Sequence, residues 1–186
     1  MNVVRIEEWN SAEFDRYVDP TMAIYVAAMG YAAHAGKSRG RAARGQATFP
    51  GFRGRGAFDD RGVLIGFCYG YTSEKGQWWH EMVRRAVPAA VADEWLENSF
   101  ELSELHVLPE AQGTGTGRAL LLSLAAGLPH RAMLLSTPDF DTRARRLYAS
   151  LGFLDLATHY YFPGESRPFA VLGRRLPFEA ASISRP

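Results

Sequence analysis

Between residues 100 and 128 the chain runs from FELSELHVL through Pro109 into Gln112-Gly113-Thr114-Gly115-Thr116-Gly117-Arg118, and on into RALLLSLAAGL. The first run is apolar and β-prone, and Pro109 ends it because proline cannot donate to a strand ladder. The second is an apolar helix closed by Gly127 and Pro129. A strand that enters a helix through glycines commits the chain to a layered α/β sheet with at least one parallel crossover. The turn itself is an anion cradle. Its glycines let the backbone approach a ligand, and the unpaired N–H groups and positive dipole end of the helix favour a phosphate.

The flanking sequence extends the same pattern. RAMLLST, residues 131–137, reads as a strand; Thr142 or Asp141 caps a helix through RARRLYASL, and Gly152 closes it. LDLATHYYF and PFAVLGRRL, joined around Gly164, are two further strands. In the first half VVRI reads as an opening strand, Pro20 as the first residue of an apolar helix through Met29, and AFDD with VLIGFCYGYT as a hairpin. WWHEMVRRAV and AAVADEWL read as helices separated by Pro88, while Gly and Arg dominate residues 30–56 without a clear element. No repeat and no Pro/Gly/Ser-rich linker divides the chain, so a single domain over residues 1–186 is expected.

Composition narrows the class. With 186 residues, 47% apolar, 22% charged and net charge +1, the chain is expected to fold around one ordinary core. Cys68 is the only cysteine, which excludes a disulfide scaffold and reads as a core residue. No apolar run is long enough to span a membrane, and MNVVRIEEWN lacks the apolar centre of a signal peptide, so the expected compartment is the cytoplasm. His34, His80, His106, His130 and His159 are scattered, and no metal site is expected.

Two motifs at this separation, ELSELHVLPEAQGTGTGRALL and ARRLYASLGF (residues 144–153), resemble the general N-acetyltransferase (GNAT) superfamily. That family's hallmark is a Gln or Arg, two residues, Gly, one residue, then Gly or Ala, matched here by Gln112, Gly115 and Gly117. The resemblance is specific over about residues 100–155. It implies a mixed, mostly antiparallel sheet flanked by helices and splayed between strands four and five. It also implies transfer of an acetyl group from acetyl-CoA to a primary amine by direct attack, with no metal. Gln112, Gly113, Thr114, Gly115, Thr116, Gly117 and Arg118 would hold the pyrophosphate, and the main chain of Leu105, His106 and Val107 would pair with the pantetheine arm like an added strand. Asp141 stands where many members place an asparagine that contacts the arm, and capping of the helix is a competing role for it.

Direct attack needs a neutral amine, a donor for the carbonyl oxygen and a proton for the departing thiolate. The resemblance assigns the thiolate proton to Tyr148, with packing between helix and sheet as the alternative. The carbonyl donor is an N–H near Val107 or Leu108. Glu101 matches the position of the glutamate of the histone-modifying branch, six residues before Val107; a solvated acid at a strand start is the competing reading. Glu104 and His106 are alternates, because a bulge changes which side chains share a face.

The acceptor expected is a small amine or peptide amino terminus bearing an acidic group, because the arginines between Lys37 and Arg61 would line its pocket. Two other readings compete with catalysis: a non-catalytic acyl-CoA-binding module, and nucleic-acid binding through the Arg-Gly steps of residues 37–61, with no recognised module around them. Gly36-Lys37-Ser38 lacks the spacing of a phosphate loop. Trp78, Trp79 and Trp95 offer a substrate wall, a homodimer face or ordinary core packing.

Overall fold

The computed structural model describes residues 4–178. They group into two compact units, the first formed by residues up to 72 with 101–124, the second by 73–100 with the residues from 125 onward. The first carries β1 (Arg5–Trp9), α1 (Ser11–Met29), α2 (Ala33–Gln46), β2 (Arg53–Phe58), β3 (Leu64–Ser73), most of β4 (Ser99–Val107), a single 3-10 turn (Pro109–Ala111) and α5 (Thr116–Ala125). The second carries α3 (Trp78–Ala86), α4 (Ala89–Leu96), β5 (Ala132–Pro138), α6 (Arg143–Ser150), β6 (Leu154–Tyr160) and β7 (Phe169–Arg175). The strand order is β1-β2-β3-β4-β5-β7-β6, the mixed and mostly antiparallel class that the family resemblance implied.

In the first unit, α1 starts nine residues earlier than Pro20 suggests. Asn10 and Glu13 form a reciprocal capping box, Glu13 N–H donating to Asn10 Oδ1 at 2.9 Å and Asn10 N–H to Glu13 Oε2 at 2.8 Å. That start outweighs the proline, which sits inside the helix at the loss of one ladder bond. Gly30, at φ +66°, closes the helix.

The stretch from Ala33 to Gln46, without an element in the sequence reading, is α2. Gly36 and Gly40 let it lie close against α1: a Cβ at Gly36 would stand 3.1 Å from Val26 Cγ2, and one at Gly40 would stand 3.3 Å from Met22 Cγ. Close helix contact thus overrides the poor intrinsic propensity of glycine. Gly36 is buried here and Lys37 is exposed, so no phosphate loop forms.

β1, β2 and β3 pair antiparallel, with Arg5 opposite Phe58 and Arg53 opposite Gly70. Gly54 and Gly56 share one face of β2 and form a floor for the Trp9 indole, which stacks on Tyr17 at 4.4 Å. Arg55 points the other way, is buried, and bonds Ser123 Oγ at 3.0 Å and Glu8 Oε1 at 3.3 Å. The Arg-Gly steps of β2 therefore have a packing explanation, and the nucleic-acid reading loses its main feature. Cys68 is fully buried, as expected.

In the second unit, β7 pairs with β5 and β6, and α3 and α4 contribute Trp79, Met82, Val83, Val87, Ala92, Trp95 and Leu96 to its core. Trp79 and Trp95 are core residues, while Trp78 is exposed. Among the described residues no helix is long and apolar enough to cross a membrane.

Candidate active site

β4 breaks strict alternation. Ser103 and Glu104 are neighbours, yet one atom, Arg39 Nη2, lies 3.3 Å from Ser103 Oγ and 2.5 Å from Glu104 Oε1. The result is that Glu101, Ser103, Glu104 and His106 all join one polar cluster with residues of α2 and β3. Glu101 Oε1 accepts from the Tyr71 hydroxyl at 2.8 Å, and Glu104 Oε2 stands 2.5 Å from His106 Nε2. Tyr25 and Phe67 pack on the His106 ring at 5.1 and 5.6 Å.

The three acid/base candidates of β4 therefore separate by environment. Glu101 is 3% exposed, which removes the reading of a solvated strand-start acid. Burial pushes its carboxyl up to about 8, against the opposing pull of the Tyr71 hydrogen bond and the Arg39 charge. Its Oε2 is buried with no hydrogen-bond partner. Burial also acts on Glu104, but the Arg39 guanidinium and His106 overcome it and hold that carboxyl below the usual range. Glu104 is thus held as an anion, while burial holds the Glu101 carboxyl well above the usual carboxylate range.

The glycine-rich turn opens α5 in the same unit. Gly113 and Gly115 have φ of +80° and +91°, which an L side chain rarely adopts, and a Cβ at Gly115 would meet nothing within 4 Å. The α5 ladder begins with Ala119 N–H donating to Gly115 O, and the N–H groups ahead of it are those that a helix start leaves without intrahelical acceptors. Thr114 and Thr116 hydroxyls stand 2.9 Å apart, and Thr114 also donates to Ala111 O. Gln112 braces the turn against the strand, its Nε2 donating to Val107 O at 3.0 Å. Of the two candidate amides for the carbonyl oxygen, Leu108 N–H donates to Ile65 O at 2.9 Å.

Tyr148 and Asp141 belong to the second unit. Tyr148 is buried on α6 with its ring 5.5 Å from Phe153. The helix cap is Thr142, whose hydroxyl accepts from Arg145 N–H at 3.0 Å; Asp141 is not the cap but an exposed partner of Arg146. Ser136 accepts from the Trp79 indole N–H at 3.0 Å.

Four of the six arginines expected to form a wall between Lys37 and Arg61 each face a carboxylate of this chain. Arg39 faces Glu104, Arg44 faces Asp15 and Asp19, Arg55 faces Glu8, and Arg61 faces Asp59. Sequence reasoning found Glu101, Glu104 and His106 but missed the partners Gln46, Tyr69 and Tyr71, and it placed Arg39 in the wall. The available signals were Tyr69 and Tyr71 at alternation spacing on one strand and Arg39 and Gln46 seven residues apart on one helix face. Among the described residues no group of His, Cys, Asp or Glu could hold a metal ion.

A family model described as acetyltransferase (GNAT) family matches residues 40–153. The chain belongs to the GNAT acetyltransferase family. A curated GNAT relative, the GCN5-like protein acetyltransferase Rv2170 of Mycobacterium tuberculosis, is 45% identical over 122 residues, 61% of this chain and 59% of that protein. The chain thus spans about three-fifths of the length of the curated relative it matches. Among solved GNAT-type folds, yncA of Salmonella typhimurium, described with its cofactor acetyl-CoA, superposes with a TM-score of 0.64 at 18% identity, covering 99% of this chain and 100% of that one. A GNAT family acetyltransferase of Bacillus cereus ATCC 10987 gives 0.63 at 13% identity over 93% and 97%.

Proposed function

We propose that this protein is an acetyl-CoA-dependent N-acetyltransferase with Glu101 as its general base and a primary amine of a protein or peptide as its acceptor. The observation that carries the reading is the buried Glu101 carboxyl, held at about 8 with Oε2 unpartnered, on the strand that leads into the glycine-rich turn. A base near the working pH is what an amine acceptor needs, since the amine arrives protonated. The turn fits the cofactor: Gly115 leaves open space, and a helix start supplies donors for a pyrophosphate at Gly113 to Arg118. The name of the curated relative supports a protein acceptor.

In this reading Glu101 Oε2 takes a proton from the incoming ammonium. The freed amine lone pair forms the C–N bond at the acetyl carbonyl, and the C–S bond breaks. Val107 N–H donates to the carbonyl oxygen, the Tyr148 hydroxyl gives its proton to the sulfur, and the second amine proton leaves the nitrogen for solvent, from which Tyr148 is reprotonated. Leu105, His106 and Val107 line the strand end where the pantetheine arm would add. The single-domain expectation is retained because the family match runs through residues of both units.

The test is release of CoA with lysine-bearing peptides as acceptors. We expect kcat/KM to climb about tenfold per pH unit up to a plateau above about 8, because the base must be ionised. Glu101→Gln should flatten that rise and lower the plateau by about 10² to 10⁴ fold. Tyr148→Phe should lower kcat by a similar factor while CoA binding holds, as expected of a group acting mainly in the transition state. Unchanged turnover in Glu101→Gln would remove Glu101 as base, and CoA binding without turnover on any amine would replace the enzyme reading with that of a binding module.

A further inference from the structure

Gln46 closes α2 beside β3, seven residues after Arg39 on the same helix face. Arg39 Nη2 lies 3.4 Å from the Tyr69 hydroxyl and 3.3 Å from Ser103 Oγ, and a guanidinium can only donate. The same Nη2 also faces Glu104 Oε1, so its second N–H is shared by the two hydroxyl oxygens; the Tyr69 hydroxyl donates to Gln46 Oε1 at 2.8 Å, with Ser103 Oγ 3.4 Å from that oxygen. This fixes the amide: its oxygen faces Tyr69 and its Nε2 faces Tyr71, donating to that hydroxyl at 3.1 Å. Tyr71, accepting from Gln46, has one remaining use for its proton, and it donates to Glu101 Oε1 at 2.8 Å.

We propose that Gln46 is a positioning residue that orders a one-way donor chain, from the Arg39 cation through Tyr69, Gln46 and Tyr71, onto Glu101 Oε1, leaving Oε2 as the acceptor of the substrate proton. The proposal rests on Glu101 being the base and adds what sets its basicity. Every donor in the chain points toward the carboxylate, so each favours its charged form. The chain opposes the burial that would otherwise push Glu101 higher still. The charged and titratable groups facing this cluster are Arg39 from α2, Tyr69 and Tyr71 from β3, Glu104 and His106 from β4, and Tyr25 from α1. Of these, the Arg39 charge lowers the Glu101 carboxyl directly and Glu104 raises it, and the chain adds to the first effect the hydrogen bond from Tyr71.

The experiment titrates the Glu101 side-chain carboxyl by ¹³C NMR in protein labelled at glutamate Cδ, assigned by its loss in Glu101→Gln, alongside the pH profile of kcat/KM. Gln46→Leu and Tyr71→Phe should each move the midpoint up by about one pH unit, one hydrogen bond to a charged group being worth roughly that much. Gln46→Glu should move it further, because the new carboxylate takes the Tyr71 proton for itself and adds a like charge. The rate at pH 7 should fall about tenfold for a one-unit shift and recover at high pH with KM unchanged. Tyr71→Phe keeps the ring and its packing, so it answers the question if Gln46→Leu misfolds. An unmoved Glu101 midpoint in Tyr71→Phe overturns the proposal. Because NMR reads Glu101 with no turnover, that result is separate from retained activity in Glu101→Gln, which would overturn only the base assignment.

Discussion

Glu101 binds its proton more tightly in the folded chain than in the unfolded one, its folded value near 8 lying above the 4.5 of a free glutamate. Between those values the native state holds a proton that the unfolded state has released, so stability falls as pH rises. The contribution is fully present below about 4.5 and lost once pH passes about 8, a change on the order of 5 kcal/mol. Glu104 works in the opposite sense, and its contribution is lost only as pH drops through its lowered folded value, outside this window. Tyr69 and Tyr71, raised by burial and the nearby carboxylates, titrate above it. Glu101→Gln keeps the shape and stays neutral, so its melting temperature should exceed that of the wild type at pH 9, with the gap closing toward pH 4. A gap of the same size at both pH values would mean that the gain comes from packing and not from the buried charge. The residue proposed as the base is therefore one that the fold holds at a cost in stability above pH 8.

At the scale of elements, glycine divides into positions that packing requires and positions that it does not. A Cβ at Gly56 would stand 2.1 Å from Trp9 Cζ2, in a ring held by Tyr17 and Phe58, so Gly56→Ala must displace the indole. We expect it to destabilise by about 1 to 3 kcal/mol, as overpacking does. Gly45 lies within α2 with open space at its Cβ and no positive φ, so Gly45→Ala should stabilise by up to about 1 kcal/mol. Denaturant melts of the two variants should shift in opposite directions, and a loss in Gly45→Ala would show that α2 tolerates no added volume there. The same contrast explains what could be read from the chain. The elements from Phe100 onward were legible because each is bounded by its own punctuation, Pro109, Gly127, Thr142 and Gly152. α2 was not, because its helicity comes from contact with α1, and local propensity says nothing of that. Glu101 was legible by motif position, but Tyr71, Gln46 and Arg39 of its cluster lie 30, 55 and 62 positions before it, on β3 and α2, and only tertiary packing brings them together.

At the scale of the molecule, ligand binding and cooperativity become one measurement. A ligand that binds only the native state raises its stability by RT ln(1 + [L]/Kd), about 2.7 kcal/mol at a hundredfold excess over Kd. The glycine-rich turn belongs to the first unit and Tyr148 to the second. If residues of both units fold as one domain, calorimetry should give a single transition that CoA moves upward as a whole. Two transitions, with only one of them moved, would show instead that the units melt separately and that the cradle stabilises its own unit alone. Gly115→Glu supplies the control. A side chain there is strained at φ +91° and carries a carboxylate into the open space where the pyrophosphate would lie, so the unliganded protein should melt somewhat lower and the CoA shift should vanish. The two effects separate because the shift is read against the variant's own baseline. A lowered baseline with a full CoA shift would assign Gly115 to the turn's conformation only and move the phosphate site elsewhere, whereas a lost shift with the single transition preserved would place the anion at this helix start.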